Sequence, residues 1–194
     1  MKILIATEKP FAAAAVNGMK DIAEKAGHEV RLLEKYDSPE KLVKAVADAD
    51  ALIVRSDKVT PEVIAAAANL KIVVRAGAGY DNINLDACTS RNIVVMNTPG
   101  QNSNAVAELA IAMMIYMSRN KFTPGTGSEI KGKKLGIQAY GNVGKLVAQK
   151  ARCLGMEVMA FDPYVPAEKM KEDGVAPAGS LEEMYRECNF ISLH

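Results

Sequence analysis

The stretch that decides the fold is KKLGIQAYGNVGKLVAQKARCLGMEVMAFDPY, residues 133–164. An apolar run ends at a short turn, a helical segment follows and closes at Gly155, and a second apolar run ends at Asp162. A glycine-rich turn has meaning only in such a strand–turn–helix–strand context, with an acidic residue about 20 positions after its last glycine. The pattern therefore predicts a dinucleotide-binding turn of the Rossmann type, with NAD as the cofactor.

Each part of this turn has a predicted task. Gly141 lets the main chain approach a pyrophosphate, Gly144 lets the helix pack against the strand, and the N–H groups at the helix start face the phosphates. Asp162 can accept hydrogen bonds from the ribose hydroxyls of NAD and would repel the 2′-phosphate of NADP. A merely structural turn is the alternative. The predicted cofactor-binding residues are Tyr140, Gly141, Asn142, Val143, Gly144 and Asp162.

Ala139 stands where the first glycine of the motif is expected. That glycine serves the tight turn itself. Alanine adds only a methyl group, and we expect it to occupy the position with a negative φ. The two glycines with the stricter steric reasons, Gly141 and Gly144, are both present, so we expect the cofactor site to work.

The composition excludes several other functions. The formal net charge of +1 over 194 residues argues against nucleic acid or an anionic membrane as a partner. Two histidines and three scattered cysteines predict no metal site. The N-terminal MKILIATEKPF is too short for a signal sequence, and no run approaches the ~18 apolar residues of a membrane span. We therefore expect a cytoplasmic protein.

The first hundred residues alternate short apolar runs with helical segments. Near-continuous apolar runs are typical of parallel strands that are buried on both faces. This alternation predicts a doubly wound, flavodoxin-like α/β domain, and the break NTPGQNSN at 97–104 places the boundary near Pro99. We expect domains at 1–98 and 99–194. The predicted strands of the first domain are 2–7, 29–33, 51–54, 71–76 and 92–97.

The segment that follows the boundary, AVAELAIAMMIYMSRN, is apolar around nearly its whole circumference. Such a helix must be covered on every side, by two domains or by a second subunit. The pattern alone does not separate an ordinary core helix from an interface helix. We expect a homodimer through the helix at 104–119.

Four motifs that follow one another in order resemble a known family. Together they are similar to the D-isomer-specific 2-hydroxyacid dehydrogenases, above all to the branch that oxidises 3-phospho-D-glycerate in serine biosynthesis. The resemblance covers essentially the whole chain. It implies an NAD-dependent oxidoreductase with a flavodoxin-like substrate domain followed by a Rossmann NAD-binding domain. The motifs are LIVRSDKVTPEVI (52–64), VVRAGAGYDNINLDA (73–87), VVMNTPGQNSNAVAELA (94–110) and GKKLGIQAYGNVGKLVA (132–148).

The resemblance implies a set of substrate contacts. Arg55 and Ser56 follow the third strand, at the sheet edge where open α/β sheets bind ligands, and a guanidinium suits a carboxylate or a phosphate. A surface ion pair is the alternative for Arg55. Ala78 would lie beside the cofactor, where relatives often carry threonine. The implied substrate-binding residues are Arg55, Ser56, Arg75, Gly77, Gly79 and Asn102, with Asp81 and Asn82 pinning their loop and Ser103 and Asn104 capping a helix.

The resemblance also implies that the catalytic arginine, glutamate and histidine of the family are none of the 194 residues. The chain reaches the fourth Rossmann strand at NFISLH, so we expect an N-terminal portion of a longer enzyme, without the second half-sheet and the returning helix of the substrate domain. His194 would lie near the adenosine of NAD. The loop between Arg119 and Lys133 is shorter than in most relatives. A dehydrogenase for another D-2-hydroxy acid and a non-catalytic NAD sensor remain as alternatives.

Overall fold

The computed structural model describes all 194 residues and divides them into two units. The first unit is Met1–Gln101 and the second is Asn102–His194. Each unit has its own parallel sheet and its own apolar core. None of the helices has the length and apolar character needed to span a bilayer.

The first unit is built on five parallel strands in the order β2-β1-β3-β4-β5. This is the flavodoxin-like order that the alternating pattern predicts. The central strands are buried, with Leu4, Leu52 and Val73 at most 2% exposed. Because the strands are parallel, all their carboxyl ends meet at one edge of the sheet. The elements are β1 Lys2–Thr7, α1 Ala13–Lys25, β2 Glu29–Glu34, α2 Pro39–Val46, β3 Ala51–Val54, α3 Pro61–Ala66, β4 Ile72–Arg75, α4 Leu85–Ser90 and β5 Val94–Asn97.

Local sequence signals set the helix ends of this unit. Pro39 and Pro61 begin α2 and α3. The N–H of the first helical residue has no partner within the helix, so proline, which has no N–H, loses nothing at this position. Asn84 caps α4, its Oδ1 accepting from the N–H of Ala87 at 2.8 Å. After α1 the chain turns at Gly27, whose φ of +77° favours glycine. The five predicted strands are all present, with ends that shift by at most two residues.

The second unit has four parallel strands in the order β8-β7-β6-β9. Counted within the unit this is the order 3-2-1-4, the first part of a Rossmann sheet, as predicted. Its last helix begins with half of a capping box: Ser180 Oγ accepts from the N–H of Glu183, while Glu183 Oε2 accepts from the N–H of Gly179 rather than from that of Ser180. The elements are α5 Ser103–Ser118, a 3₁₀ turn Asn120–Phe122, β6 Lys134–Gln138, α6 Asn142–Cys153, β7 Glu157–Phe161, α7 Ala167–Glu172, β8 Ala176–Pro177, α8 Leu181–Glu187 and β9 Phe190–Leu193.

Helix α5 packs one face into the core of the second unit through Ala107 and Ile111. Its opposite face carries Leu109, Met113 and Met117, which are 60%, 57% and 57% exposed. The chain by itself therefore leaves this face uncovered, and the expectation that a second subunit covers it stays a prediction. The predicted caps also lie too far along the chain. The cap position belongs to Asn102, while Ser103 and Asn104 lie in the first turn.

Candidate dinucleotide and substrate sites

The turn after β6 is tied to the end of β7. The N–H of Ala139 donates to Phe161 O at 2.9 Å, and the N–H of Tyr140 donates to Asp162 Oδ2 at 2.7 Å. Ala139 adopts a φ of +74°. The expectation of a negative φ at this position is therefore wrong: the turn keeps the conformation that suits glycine, and a left-handed alanine costs about 1–2 kcal/mol.

Gly141 and Gly144 serve two different purposes. A Cβ on Gly144 would lie 2.3 Å from Ala139 O, so close packing of α6 on the strand requires glycine there, as predicted. A Cβ on Gly141 would meet no heavy atom within 4 Å, and its φ of −84° suits any residue. No contact within the chain therefore requires glycine at position 141. The open space beside it is where a ligand would approach the main chain.

Helix α6 offers anion-binding groups to that space. The N–H groups of Asn142, Val143 and Gly144 lie in its first turn, where a helix has no carbonyl to accept from them. No acidic residue lies in this turn. Unpaired donors and the positive end of the helix dipole together suit a phosphate.

Asp162 has a structural task that the sequence pattern does not predict. Its Oδ2 accepts from the N–H of Tyr140, and its Oδ1 accepts from the N–H of Tyr164 at 2.9 Å. A carboxylate has about four acceptor positions, so two remain for ribose hydroxyls. Asp162 therefore fixes the turn and can still read a sugar.

The side chain of Tyr140 points away from this space. It is 1% exposed within the core of the second unit, and its hydroxyl donates to Asp173 Oδ2 at 3.1 Å. Burial, with a contribution from the Asp173 carboxylate, raises the pKa of Tyr140 to about 12. Because the N–H of Tyr140 already donates to Asp162, only its main-chain carbonyl can serve a ligand. His194 follows β9 at the same sheet edge, where its N–H donates to Gln138 O at 3.2 Å and its ring bonds Ser192 Oγ at 2.8 Å.

The carboxyl edge of the first sheet carries an arginine that has no acidic partner. Arg55 is exposed, its Nη1 donates to Pro10 O at 3.3 Å, and it forms no salt bridge. The alternative of a surface ion pair is therefore wrong. Ser56 and Lys58 line two cavities at this edge, of about 220 and 510 Å³. The edge holds unused cationic donors beside open space.

The loop after β4 also differs from expectation. Gly77 is one of the implied substrate-binding residues, but its N–H donates to Arg75 O at 2.8 Å and is not free for a substrate. A Cβ at this position would lie 1.4 Å from Arg75 Nη1, so a larger residue would force the end of that arginine side chain to move. The N–H groups of Ala78 and Gly79 have no acceptor in the protein. These two main-chain donors, rather than that of Gly77, can meet a carboxylate.

Of the remaining predicted residues, one holds the loop after β4 and another is exposed to solvent. Asn82 Nδ2 donates to Asp57 O at 2.8 Å, which confirms its role in holding the loop. The Asp81 carboxylate accepts no hydrogen bond that would hold the loop in the same way. Asn102 is exposed, and its side chain makes no capping bond, so its amide is free.

These features are those of a known family. The family model for D-isomer specific 2-hydroxyacid dehydrogenase, catalytic domain, matches residues 6–188. The chain belongs to this family. Its two parallel sheets are the architecture expected of such a dehydrogenase.

Individual relatives are similar over most of the chain. A crystal structure of NAD⁺-bound 3-phosphoglycerate dehydrogenase from Entamoeba histolytica is 50% identical, with a TM-score of 0.92 over 100% of this chain and 62% of that one. D-3-phosphoglycerate dehydrogenase of Mycobacterium tuberculosis is 40% identical over 180 residues, 86% of this chain and 34% of that protein. Hydroxypyruvate reductase of Thermotoga maritima is 36% identical over 180 residues, 86% of this chain and 58% of that protein. The chain thus spans only part of the length of each relative.

One buried residue at the first sheet's edge was not predicted at all. Asp57 is 3% exposed and accepts hydrogen bonds from Glu8, Tyr36 and Arg55. Its place in RSDKVT, between Ser56 and Lys58, suggests a surface carboxylate. Only the convergence of loops that are distant in sequence shows otherwise.

Proposed function

We propose that this chain supplies the substrate-binding and cofactor-binding parts of an NAD-dependent dehydrogenase that oxidises 3-phospho-D-glycerate to 3-phosphohydroxypyruvate. The open space at Gly141, bordered by unpaired N–H groups and Asp162, is the observation that carries the cofactor assignment. The 50% identity to an NAD⁺-bound 3-phosphoglycerate dehydrogenase over the whole chain supports the substrate.

The residues of the turn fit a dinucleotide. The N–H groups that begin α6 would hold the pyrophosphate, and the absent side chain of Gly141 would let it approach. The free acceptor positions of Asp162 would take the ribose hydroxyls and disfavour a 2′-phosphate, since like charges repel strongly in a partly desolvated site. When bound, NAD⁺ accepts the hydride from C2 of the hydroxy acid.

The carboxyl edge of the first sheet carries two groups of hydrogen-bond donors that could each bind an anion, which suits a substrate with two anionic ends. The N–H groups of Ala78 and Gly79 would hold the carboxylate. Arg55 and Lys58 would hold the phosphate, as charge-assisted hydrogen bonds to phosphate are about twice as strong as neutral ones. Lactate or glycerate carries one anionic group and would leave Arg55 unpaired.

An unphosphorylated D-2-hydroxy acid is the second candidate, because the chain is also similar to a hydroxypyruvate reductase. The test is calorimetric titration of the chain, in the presence of NAD⁺, with 3-phospho-D-glycerate and with D-glycerate as the matched ligand that lacks the phosphate. We expect 3-phospho-D-glycerate to bind at least about tenfold more tightly, and Arg55→Ala to remove most of that difference, since a hydrogen bond to a charged group contributes about 1.5–3 kcal/mol. Equal affinities for the two ligands would favour the second candidate.

We also propose that two copies of the chain associate through the exposed face of α5. Leu109, Met113 and Met117 recur at every fourth position and form an apolar stripe along the helix. Light scattering should give the mass of a dimer for the chain and of a monomer for Leu109→Glu. Leu85→Glu, a similar change on α4 at a residue that is 41% exposed, serves as the control and should stay dimeric. A monomeric wild-type chain would contradict the proposal.

A further inference from the structure

Asp57 is a buried carboxylate that no cation neutralises. Its Oδ1 accepts from the N–H of Glu8 at 2.6 Å and from the hydroxyl of Tyr36 at 2.5 Å, and its Oδ2 accepts from the N–H of Arg55 at 3.3 Å. It takes part in no salt bridge. Burying an ionised group is costly even when it is hydrogen-bonded. The structure it holds together must offset that cost.

That structure is the carboxyl edge of the first sheet. Glu8 follows β1, Tyr36 follows β2 and Asp57 follows β3. Asn82, in the loop after β4, donates to Asp57 O at 2.8 Å. Four successive strand-end loops therefore meet at one residue.

Arg55 depends on Asp57 in two ways. Its main-chain N–H is bound directly by the Asp57 carboxylate. Its guanidinium rests on Pro10 O, in the same loop that Asp57 holds through the N–H of Glu8. The direction of the arginine side chain thus follows from where the buried carboxylate fixes the two loops.

We infer that Asp57 is a positioning residue, which orders Arg55 and Ser56 in advance for the anionic end of the substrate. This inference rests on the proposed function, since it deepens the substrate site described there. Ordering a binding loop before the ligand arrives raises affinity, because less conformational freedom is lost on binding. Burial, with the neighbouring Asp57, raises the pKa of Tyr36 well above its usual range, so the tyrosine remains a donor at neutral pH.

The variant that tests this inference is Asp57→Asn, which keeps the shape of the side chain. Its oxygen can still accept from Glu8 and Tyr36, but its amide group would face the N–H of Arg55, donor against donor. Asp50→Asn is the matched control. Asp50 Oδ2 accepts from the N–H of Lys2 at 2.7 Å, at the opposite edge of the same sheet.

The first measurement is the Kd for 3-phospho-D-glycerate, by calorimetry of the chain with NAD⁺, at a temperature where each variant is folded. We expect Asp57→Asn to weaken binding about tenfold and Asp50→Asn to change it less than twofold. In an Arg55→Ala background Asp57→Asn should weaken binding much less than tenfold, because the guanidinium is gone and only Ser56 is left to be positioned. An unchanged Kd for Asp57→Asn, or a full tenfold loss in the Arg55→Ala background, would overturn the inference and leave Asp57 with a role in stability alone.

A second measurement separates this inference from the proposed function. Amide hydrogen exchange at Arg55 reports the order of the loop without any ligand. We expect exchange to accelerate at least about tenfold in Asp57→Asn and not in Asp50→Asn. If the wild-type chain does not bind 3-phospho-D-glycerate, the substrate assignment fails. Faster exchange in Asp57→Asn would then still support the positioning of Arg55 by Asp57. Unchanged exchange in Asp57→Asn would overturn the inference. Should Asp57→Asn fail to fold, Tyr36→Phe is the substitute, because it removes only one of the three hydrogen bonds to the Asp57 carboxylate. It should weaken binding and accelerate exchange by about a third of the Asp57→Asn effect in free energy, which is about twofold in each.

Discussion

Replacing Gly141 with alanine should separate cofactor binding from folding. The new methyl group meets nothing within 4 Å and φ is −84°, so no clash inside the chain opposes it. Alanine also restricts the unfolded chain, which stabilises the fold by about 0.4–1 kcal/mol. In the complex, however, the methyl group would stand between the main chain and the pyrophosphate. Crowding of that kind costs about 1–3 kcal/mol, so NAD⁺ affinity should fall by a factor between about five and somewhat over a hundred.

Gly144→Ala is the control for this prediction, because it should lower the stability of the fold, whereas Gly141→Ala should lower the affinity for NAD⁺. There the methyl group would lie 2.3 Å from Ala139 O, and the fold should lose about 1–3 kcal/mol of stability. Urea unfolding gives the free energy of unfolding of each variant, and calorimetry with NAD⁺ gives its Kd. The reasoning would be refuted if Gly141→Ala bound NAD⁺ as tightly as the wild-type chain, or if it were clearly less stable.

Further predictions concern the same unit, the chain as a whole and its acid stability. Asp162→Ala should lower the ratio of the NADP⁺ and NAD⁺ dissociation constants about tenfold, measured by calorimetry; an unchanged ratio would mean that this carboxylate does not read the ribose. Ala139→Gly should raise the midpoint of urea unfolding, since it relieves a left-handed alanine, and a lower midpoint would contradict the strain. The 194-residue chain should produce no NADH from 3-phospho-D-glycerate in an absorbance assay, because the family resemblance assigns the catalytic groups to none of its residues, and steady NADH formation would show that assignment to be wrong. Hydrogen bonds from Lys2 and Arg31 lower the pKa of Asp48 to about 2, so these bonds stabilise the fold above the ordinary carboxyl pKa and cease to do so as the pH falls towards 2. The free energy of unfolding of Asp48→Asn should therefore fall less steeply than that of the wild-type chain between about pH 4 and pH 2. The same pH dependence in both proteins would show that Asp48 does not stabilise the fold in this way.

The fold follows from sequence because its signals are local. Short apolar runs between turn residues predict both sheets, and Pro39 and Pro61 begin their helices by the chemistry of one residue. The covering of α5 does not follow in the same way. Leu109 and Met113 are as apolar as the buried residues beside them, so the sequence does not say which face of the helix meets the core.

The candidate sites follow from sequence only in part, because their details depend on contacts between distant loops. The spacing from Gly144 to Asp162 predicts the turn, but not that Asp162 also binds the N–H of Tyr140. The positive φ of Ala139 results from that closed turn and overrides the intrinsic preference of alanine. Asp57 is the extreme case, since its donors lie 49, 21 and 2 positions away in the chain.

The most direct test of NAD binding by the turn is an NMR titration of the ¹⁵N-labelled chain with NAD⁺. If the turn is the cofactor site, the amide signals of Gly141, Asn142, Val143 and Gly144 should shift most, with saturation at one equivalent, while NADP⁺ at the same concentration should cause much smaller shifts. No shift at these amides, or shifts confined to residues 1–101, would contradict the assignment.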